Sequence, residues 1–425
     1  MPSTHQPRIF NTVNLTDFDT NGQTSTVGEP TVSSNGNQIL ATGNWYASRS
    51  LDGGQSWSHM SPFTLFPPVD GGFCCDQTTV YDPSRDLLIW LLQYVQQNGT
   101  NTLRIAVKQG RTLGNDTWNM WDFTPVGIDP AWTDEWFDYN HVSLSENYMY
   151  AGTNVFTAGS NQFTRSVILR ISLDELAAAA GLSFDIFETQ GNFSLRCVQG
   201  ARGAMYFASH NTNSQIRVFR WPENASDVDE FDIDVTPWFA GNYSAPTTGG
   251  ADWMSRTDPR ITAGWLGRGV IGFLWTANRQ ANRSRPFIRA VRIDEATMSL
   301  IDEPDIWNNQ IAFCYPSTAV NRFGDVGLSA FAGGGNLHPS HVVGSYDDID
   351  GTWRLALARQ GTHTPRLGKW GDYTNCTEVA DDGFTWLAAG YTLQGGDDQS
   401  DVEPTMTWFA QQRYDAPRRH PPVIV

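Results

Sequence analysis

Lysine is almost missing from this sequence. Only Lys108 and Lys369 occur in 425 residues, so arginine carries nearly all the positive charge, and 45 acidic against 28 basic side chains leave a formal net charge of −17. Nucleic acid and anionic membrane surfaces both need a basic footprint, and this deficit argues against either as the main partner. Long apolar runs are lacking too. The longest, Leu87 to Val95, contains Gln93 and falls well short of the roughly 20 residues of a membrane helix. The first ten residues lack the apolar core of a signal peptide, whereas eight Asn-x-Ser/Thr sequons between Asn14 and Asn375 favour an extracellular destination. Five cysteines are too few to define a disulfide framework, and the chain is expected to be a monomer.

What is abundant is aromatic and turn-forming. Seventeen Trp, 23 Phe, 13 Tyr and 39 Gly, with charged residues held to 17%, favour aromatic-rich strands joined by tight turns over helical bundles. A chain this long holds several domains or one repeat array. A recurring unit decides for the array: a polar residue opens a strand, an Asn/Gly/Asp/Ser turn follows, and an aromatic or aliphatic second strand ends on a polar or aromatic residue. Openings fall at Glu29, Asp76, Asp138, Arg196, Asp258, Tyr315 and Asp372, separated by 47, 62, 58, 62, 57 and 57 residues. That spacing suits four-stranded sheets with generous loops. The expectation is an all-β, single seven-bladed β-propeller over residues 1–425, with six blades and a separate hairpin as the alternative.

Further strands are expected at TLRIAVKQ, SVILRISL, IRVFRW, PFIRAVRI, WRLALARQ and TMTWFAQQRY, each alternating as a half-buried strand does. The N-terminal PRIFNTVNL is expected to complete the last blade and remove an exposed edge. Ser172 and Glu175 are spaced as a capping box before LAAAA, placing a short helix from Leu173 to Ala180 that stops at Gly181.

The segment SLDGGQSW, Ser50 to Trp57, has the form Ser-x-Asp-x-Gly-x-Ser-Trp: Asp52 to accept turn N–H groups, Gly53 and Gly54 for positive φ, and Trp57 to pack under the turn. It resembles the Asp-box, or BNR repeat, of sialidase-like β-propellers. VADDGFTW, ending at Trp386, is a weaker echo that keeps Asp381, Gly383 and Trp386. The resemblance implies propeller architecture and a carbohydrate-active relative. The Arg-Ile-Pro signature of sialidases has only Pro7-Arg8-Ile9-Phe10 as its counterpart.

In a propeller hairpin, the start of the innermost strand and the end of the second lie on one face. This gathers Glu29, Asp76, Asp138, Asp258 and Asp372, with Tyr94, Tyr139, Tyr315, Tyr373, Arg196, Arg256, Arg260, Arg279, His141 and His210, at one funnel mouth. Two chemistries fit. For β-elimination on a uronate-containing polysaccharide, Arg196, Arg256 and Arg260 neutralise the sugar carboxylate, His210 or His141 is the base, and Tyr139 or Tyr315 the acid. This resembles seven-bladed polysaccharide lyases in kind. For hydrolysis, pairs of the five acids supply the two carboxyl groups a glycosidase needs. A non-catalytic glycan- or protein-binding propeller is the third reading.

An acidic poly- or oligosaccharide is the expected partner. No cofactor is called for, a structural calcium staying open; His338 and His341 in HPSH lack a third metal ligand. Cys74 and Cys75, next to Asp76, are either a vicinal disulfide forming a platform for a sugar face or two buried thiols.

Overall fold

The structure, a computed structural model, describes residues 6–15 and 24–411. Seven four-stranded antiparallel sheets are arranged about one axis, making an all-β, seven-bladed propeller. The innermost strands are Thr31–Ser34, Phe73–Asp82, Glu135–Leu144, Arg196–Cys197, Ile261–Gly267, Ala312–Val320 and Asn375–Glu378, and each opens its blade as blades 1 to 7 in chain order. Blade 7 alone mixes the two ends of the chain. Its outermost strand, Pro7–Asn14, pairs antiparallel with Val402–Gln411 from Pro7 opposite Gln411 to Asn14 opposite Thr405. The expected continuation of that penultimate strand to Tyr414 lies outside the described residues beyond 411.

The strand expectations are extended in two respects. WRLALARQ forms an outer strand of blade 6 as expected, the outermost one, Thr352–Arg359, but the third strand between it and the hairpin, Leu337–Asp347, was not among the expected strands. Pro339 conceals that third strand, because proline removes a ladder donor; the register slips between Ala332 and Gly334, opposite this part of the strand. Third strands are also more than half-buried. Leu103–Gln109 exposes only its last residue and Val402–Gln411 is almost wholly covered, because each blade is sandwiched between two neighbours.

The blades are joined around the axis by small polar side chains on the inner strands. Thr31 Oγ1 accepts from Thr79 N (3.1 Å), Thr78 donates to Asn140 O (3.2 Å), Thr262 to Pro316 O (2.8 Å) and Thr374 to Tyr315 O (2.9 Å), while Asn375 Oδ1 accepts from Val32 N (3.0 Å). A hydroxyl reaching a neighbouring backbone satisfies inner-strand groups that a four-stranded sheet leaves unpaired.

Large side chains of first and second strands lie over glycines of second strands. Trp265 faces Gly272, where an added Cβ would sit 2.0 Å from the indole ring, and Trp386 covers Gly327 in the adjacent blade. Overpacking of a closed core costs roughly 1–3 kcal/mol. Gly272→Ala is therefore expected to lower the thermal midpoint measurably, and an unchanged midpoint would show that Trp265 has room to move.

The short helix, expected between blades, instead joins the third and fourth strands of blade 3; it runs Leu173–Ala178, its N-terminus capped by Ser172 Oγ accepting from Glu175 N (3.4 Å). It ends before Gly181 because Ala179 adopts the left-handed conformation (φ 52°), and Glu175 turns its carboxylate to Ser183. In the Ser50–Trp57 turn, Asp52 Oδ1 accepts from the N–H groups of Gln55 (3.0 Å) and Ser56 (2.9 Å), and Trp57 Nε1 donates to Gly54 O (3.1 Å). In the weaker echo it is Asp382, not Asp381, that accepts the turn amides, from Phe384 and Thr385 (both 2.8 Å).

Candidate functional site

Irregular starts to the inner strands build the site. The ladder of blade 2 jumps from Phe73 to Gln77, leaving Cys74, Cys75 and Asp76 unpaired; that of blade 3 jumps from Asp138 to His141, and that of blade 6 from Cys314 to Ser317. Three non-glycine residues there take left-handed backbone angles: Glu29 (φ 45°), Tyr139 (φ 57°) and Tyr315 (φ 52°). Each such residue costs on the order of 1–3 kcal/mol and persists where its surroundings over-determine it, commonly at working sites.

Glu29 and Tyr139 line a cavity of about 580 Å³ at this end of the axis, together with Asp76, Asp138, Asp372, Arg256 and Arg260. These residues were expected to meet, and they do. Asp258 backs the wall, held by Arg260 Nε (2.9 Å), and Arg260 Nη2 reaches Asp372 at 3.4 Å. Arg256 stands 3.5 Å from Asp372. The Arg260 guanidinium also lies over the Tyr139 ring, 3.6 Å from its centroid. Tyr373, Arg196 and His141 line a narrower space below, into which Tyr139 also faces.

Four expected residues lie elsewhere. His210 is wedged between Trp238 (4.6 Å) and Trp275 (4.9 Å), its Nε2 2.8 Å from Pro259 O. Tyr315 is buried in a core cluster with Trp253 and Trp370. Tyr94 lies inside blade 2, its hydroxyl accepting from Arg104 (2.7 Å), and Arg279 is exposed beyond the blade 5 hairpin. The strand-end rule misplaces Tyr94 because Tyr94 packs edge-on to Phe73, on the near side of the three-residue bulge that carries Asp76 to the axis.

The charge distribution is uneven. Burial, with Asp76 and Asp372 nearby, holds the Glu29 carboxyl well above the usual carboxylate range. Burial, reinforced by Asp138 and opposed by a hydrogen bond from Glu29, lifts Asp76 to about 7. Asp138 is raised by burial as well, though Gln93 donates to it at 3.1 Å. Two hydrogen-bonded acids in one desolvated place cannot both ionise near neutrality, so the Glu29–Asp76 pair shares a proton. Burial pushes Tyr139 up to about 12, and the two histidines down: His210 to about 4, and His141, whose Nε2 accepts from Cys197 N (3.3 Å), well below its ordinary value.

Cys74 and Cys75 form a vicinal disulfide, and Cys75 faces the cavity; Cys197, Cys314 and Cys376 are free and buried. His338 bonds Thr364 and His341 bonds Ser329. Sequence reasoning did not gather Lys369 and Gln399 into the site, although both line the cavity. They come from loops outside the repeated unit, and the rarity of lysine was the one signal that could have drawn attention to Lys369.

No protein-family model and no curated protein matches this chain. Solved structures similar to it include a protein of unknown function from Dyadobacter fermentans, at 10% identity over 97% of this chain and 100% of that one, with a TM-score of 0.47. An α-L-arabinofuranosidase from Fusarium graminearum is similar at 9% identity over 95% of this chain and 98% of that one, TM-score 0.44. A Trypanosoma rangeli sialidase is similar at 9% identity over 94% of this chain and 60% of that one, TM-score 0.44. At such levels neither activity nor substrate transfers to this chain.

Proposed function

We propose that the protein hydrolyses a glycosidic bond at the mouth of its central funnel. The carrying observation is that Glu29, Asp76 and Asp372 line one open cavity, where burial raises Glu29 and Asp76 while Asp372 is ion-paired to two arginines. Glycosidic cleavage needs a carboxylic acid that keeps its proton near neutrality to protonate the leaving oxygen, and a second, ionised carboxylate across the bond. Asp76, with Glu29 holding the shared proton in place, serves as the acid, and Asp372 as the carboxylate. Arg256 and Arg260 orient Asp372. Trp45 and the Cys74–Cys75 disulfide offer apolar surface to a sugar face.

The elimination reading is supported less well. Its base would be a histidine, yet His210 Nε2 bonds a backbone carbonyl and His141 Nε2 takes a backbone N–H. Tyr139, lifted to about 12, is a poor base as well. Arg196, the one expected carboxylate-binding arginine with no carboxylate partner among the described residues, lines the narrower space below the open cavity and not the cavity itself.

A panel of neutral and acidic polysaccharides tests the proposal. Hydrolysis releases reducing ends without the ultraviolet absorbance of an unsaturated uronate, whereas that absorbance would establish elimination instead. Asp372→Asn is expected to lower kcat by about 10²-fold or more with the fold intact. Full activity in this variant would remove Asp372 from the mechanism.

A further inference from the structure

Beneath the acidic cavity the axis narrows to a second, much smaller space of about 30 Å³, lined by Arg196, Tyr139 and Tyr373 with Thr31, Thr78 and Gln199. Arg196 differs from Arg256 and Arg260 above it. They have Asp258 or Asp372 beside them, whereas among the described residues the Arg196 side chain has no carboxylate partner and no hydrogen bond, and its titratable neighbours are two phenols and a thiol. Tyr139 and Tyr373 are 5% and 6% exposed, and neither hydroxyl has a hydrogen-bond partner among the described residues. Their rings meet edge to face at 6.2 Å.

A half-buried guanidinium without a counterion, beside two buried O–H groups without acceptors, is an arrangement of donors awaiting an acceptor. We propose that this axial space is a binding site for one small monovalent anion of halide size. Arg196 supplies the charge and planar N–H donors, and the Tyr139 and Tyr373 hydroxyls donate from the roof. Arg260, stacked over the Tyr139 ring, adds positive potential. Size sets the ligand: one water-sized sphere needs roughly 10–15 Å³, so the space takes a halide with at most one water and is too small for sulfate, phosphate or a sugar acid. Crowding by the acids above is reduced because Glu29 and Asp76 retain a proton and Asp372 is paired.

Crystals soaked in sodium bromide test the site directly. The expected result is an anomalous peak within hydrogen-bonding distance of Arg196, Tyr139 and Tyr373, lost in Arg196→Met. In solution, chloride is expected to raise the thermal midpoint saturably over sodium gluconate at equal ionic strength, and Arg196→Met to flatten that response. Tyr373→Phe, which keeps the charge, is expected to weaken the apparent chloride affinity severalfold. No bromide peak, water alone in the space, or a chloride response undiminished in Arg196→Met would each overturn the proposal. None of these readouts involves a glycan, so they stand or fall independently of the hydrolytic reading.

Discussion

Asp76→Asn is expected to abolish glycan cleavage and, in the same protein, to raise stability above neutral pH. As the acid, Asp76 must carry its proton to the leaving oxygen, and losing a positioned general acid costs about 10²–10⁴-fold in rate. In the unaltered protein kcat/KM is expected to fall as pH rises through about 7, where Asp76 releases its proton while Glu29, held well above the usual carboxylate range, keeps its own. The stability effect has the opposite direction. The folded pKa of Asp76 lies above its unfolded value, so between about 4 and 7 the folded state holds a proton that the unfolded chain has released. Stability therefore declines as pH rises across that window, and above it the protein carries the full cost of burying the charge, on the order of 2–4 kcal/mol. Asparagine removes that cost. Thermal midpoints at pH 4 and pH 8 check it: the variant should match the parent at pH 4 and exceed it at pH 8. A lower midpoint at pH 8 would mean that Asp76 holds the fold together and was misread as an acid kept for chemistry.

The second large effect is expected at Asp305, far from any proposed chemistry. Its side chain is 1% exposed and binds Arg283 at 2.6 Å and Arg289 at 3.1 Å, while Oδ1 accepts from Ala290 N (3.0 Å). Arg289 is 2% exposed and donates onward to Thr236 O (2.8 Å), tying the outer edge of blade 5 to the segment leaving blade 4. Asp305→Ala leaves Arg283 without a carboxylate and the buried Arg289 with only Glu303 at 3.6 Å, and breaking such a network typically costs about 3–5 kcal/mol. Denaturant unfolding measures it directly. Asp305→Asn, which keeps the acceptor to Ala290, should lose less; equal losses would place the effect in the backbone hydrogen bond and not in the charges.

The Glu29–Asp76–Asp372 cluster was legible before the structure because each residue opens a repeat unit, and a repeat alignment carries equivalent positions to the same end of the ring. The same reasoning could not separate Tyr139, which faces the cavity, from Tyr315, which is buried in the core. Tyr139 follows a strand-opening position, Tyr315 is one, and both take positive φ, so the alignment gives no reason to bury one and expose the other. His210 was similarly opaque: its place at a strand end is correct, but Trp238, from the loop after blade 4, and Trp275 of blade 5 enclose it. The proton-sharing state of Glu29 and Asp76 required contact between residues 47 apart in sequence.

The sequence by itself determined the number of blades, their order and the closing strand, because turn chemistry, strand periodicity and a spacing near 57 residues are local properties that repeat. Only the tertiary structure decided which members of each equivalent set reach the cavity, which acid keeps a proton and which arginine is left unpaired. Those outcomes depend on desolvation and on charges brought together from different blades, and both arise only once the ring has closed.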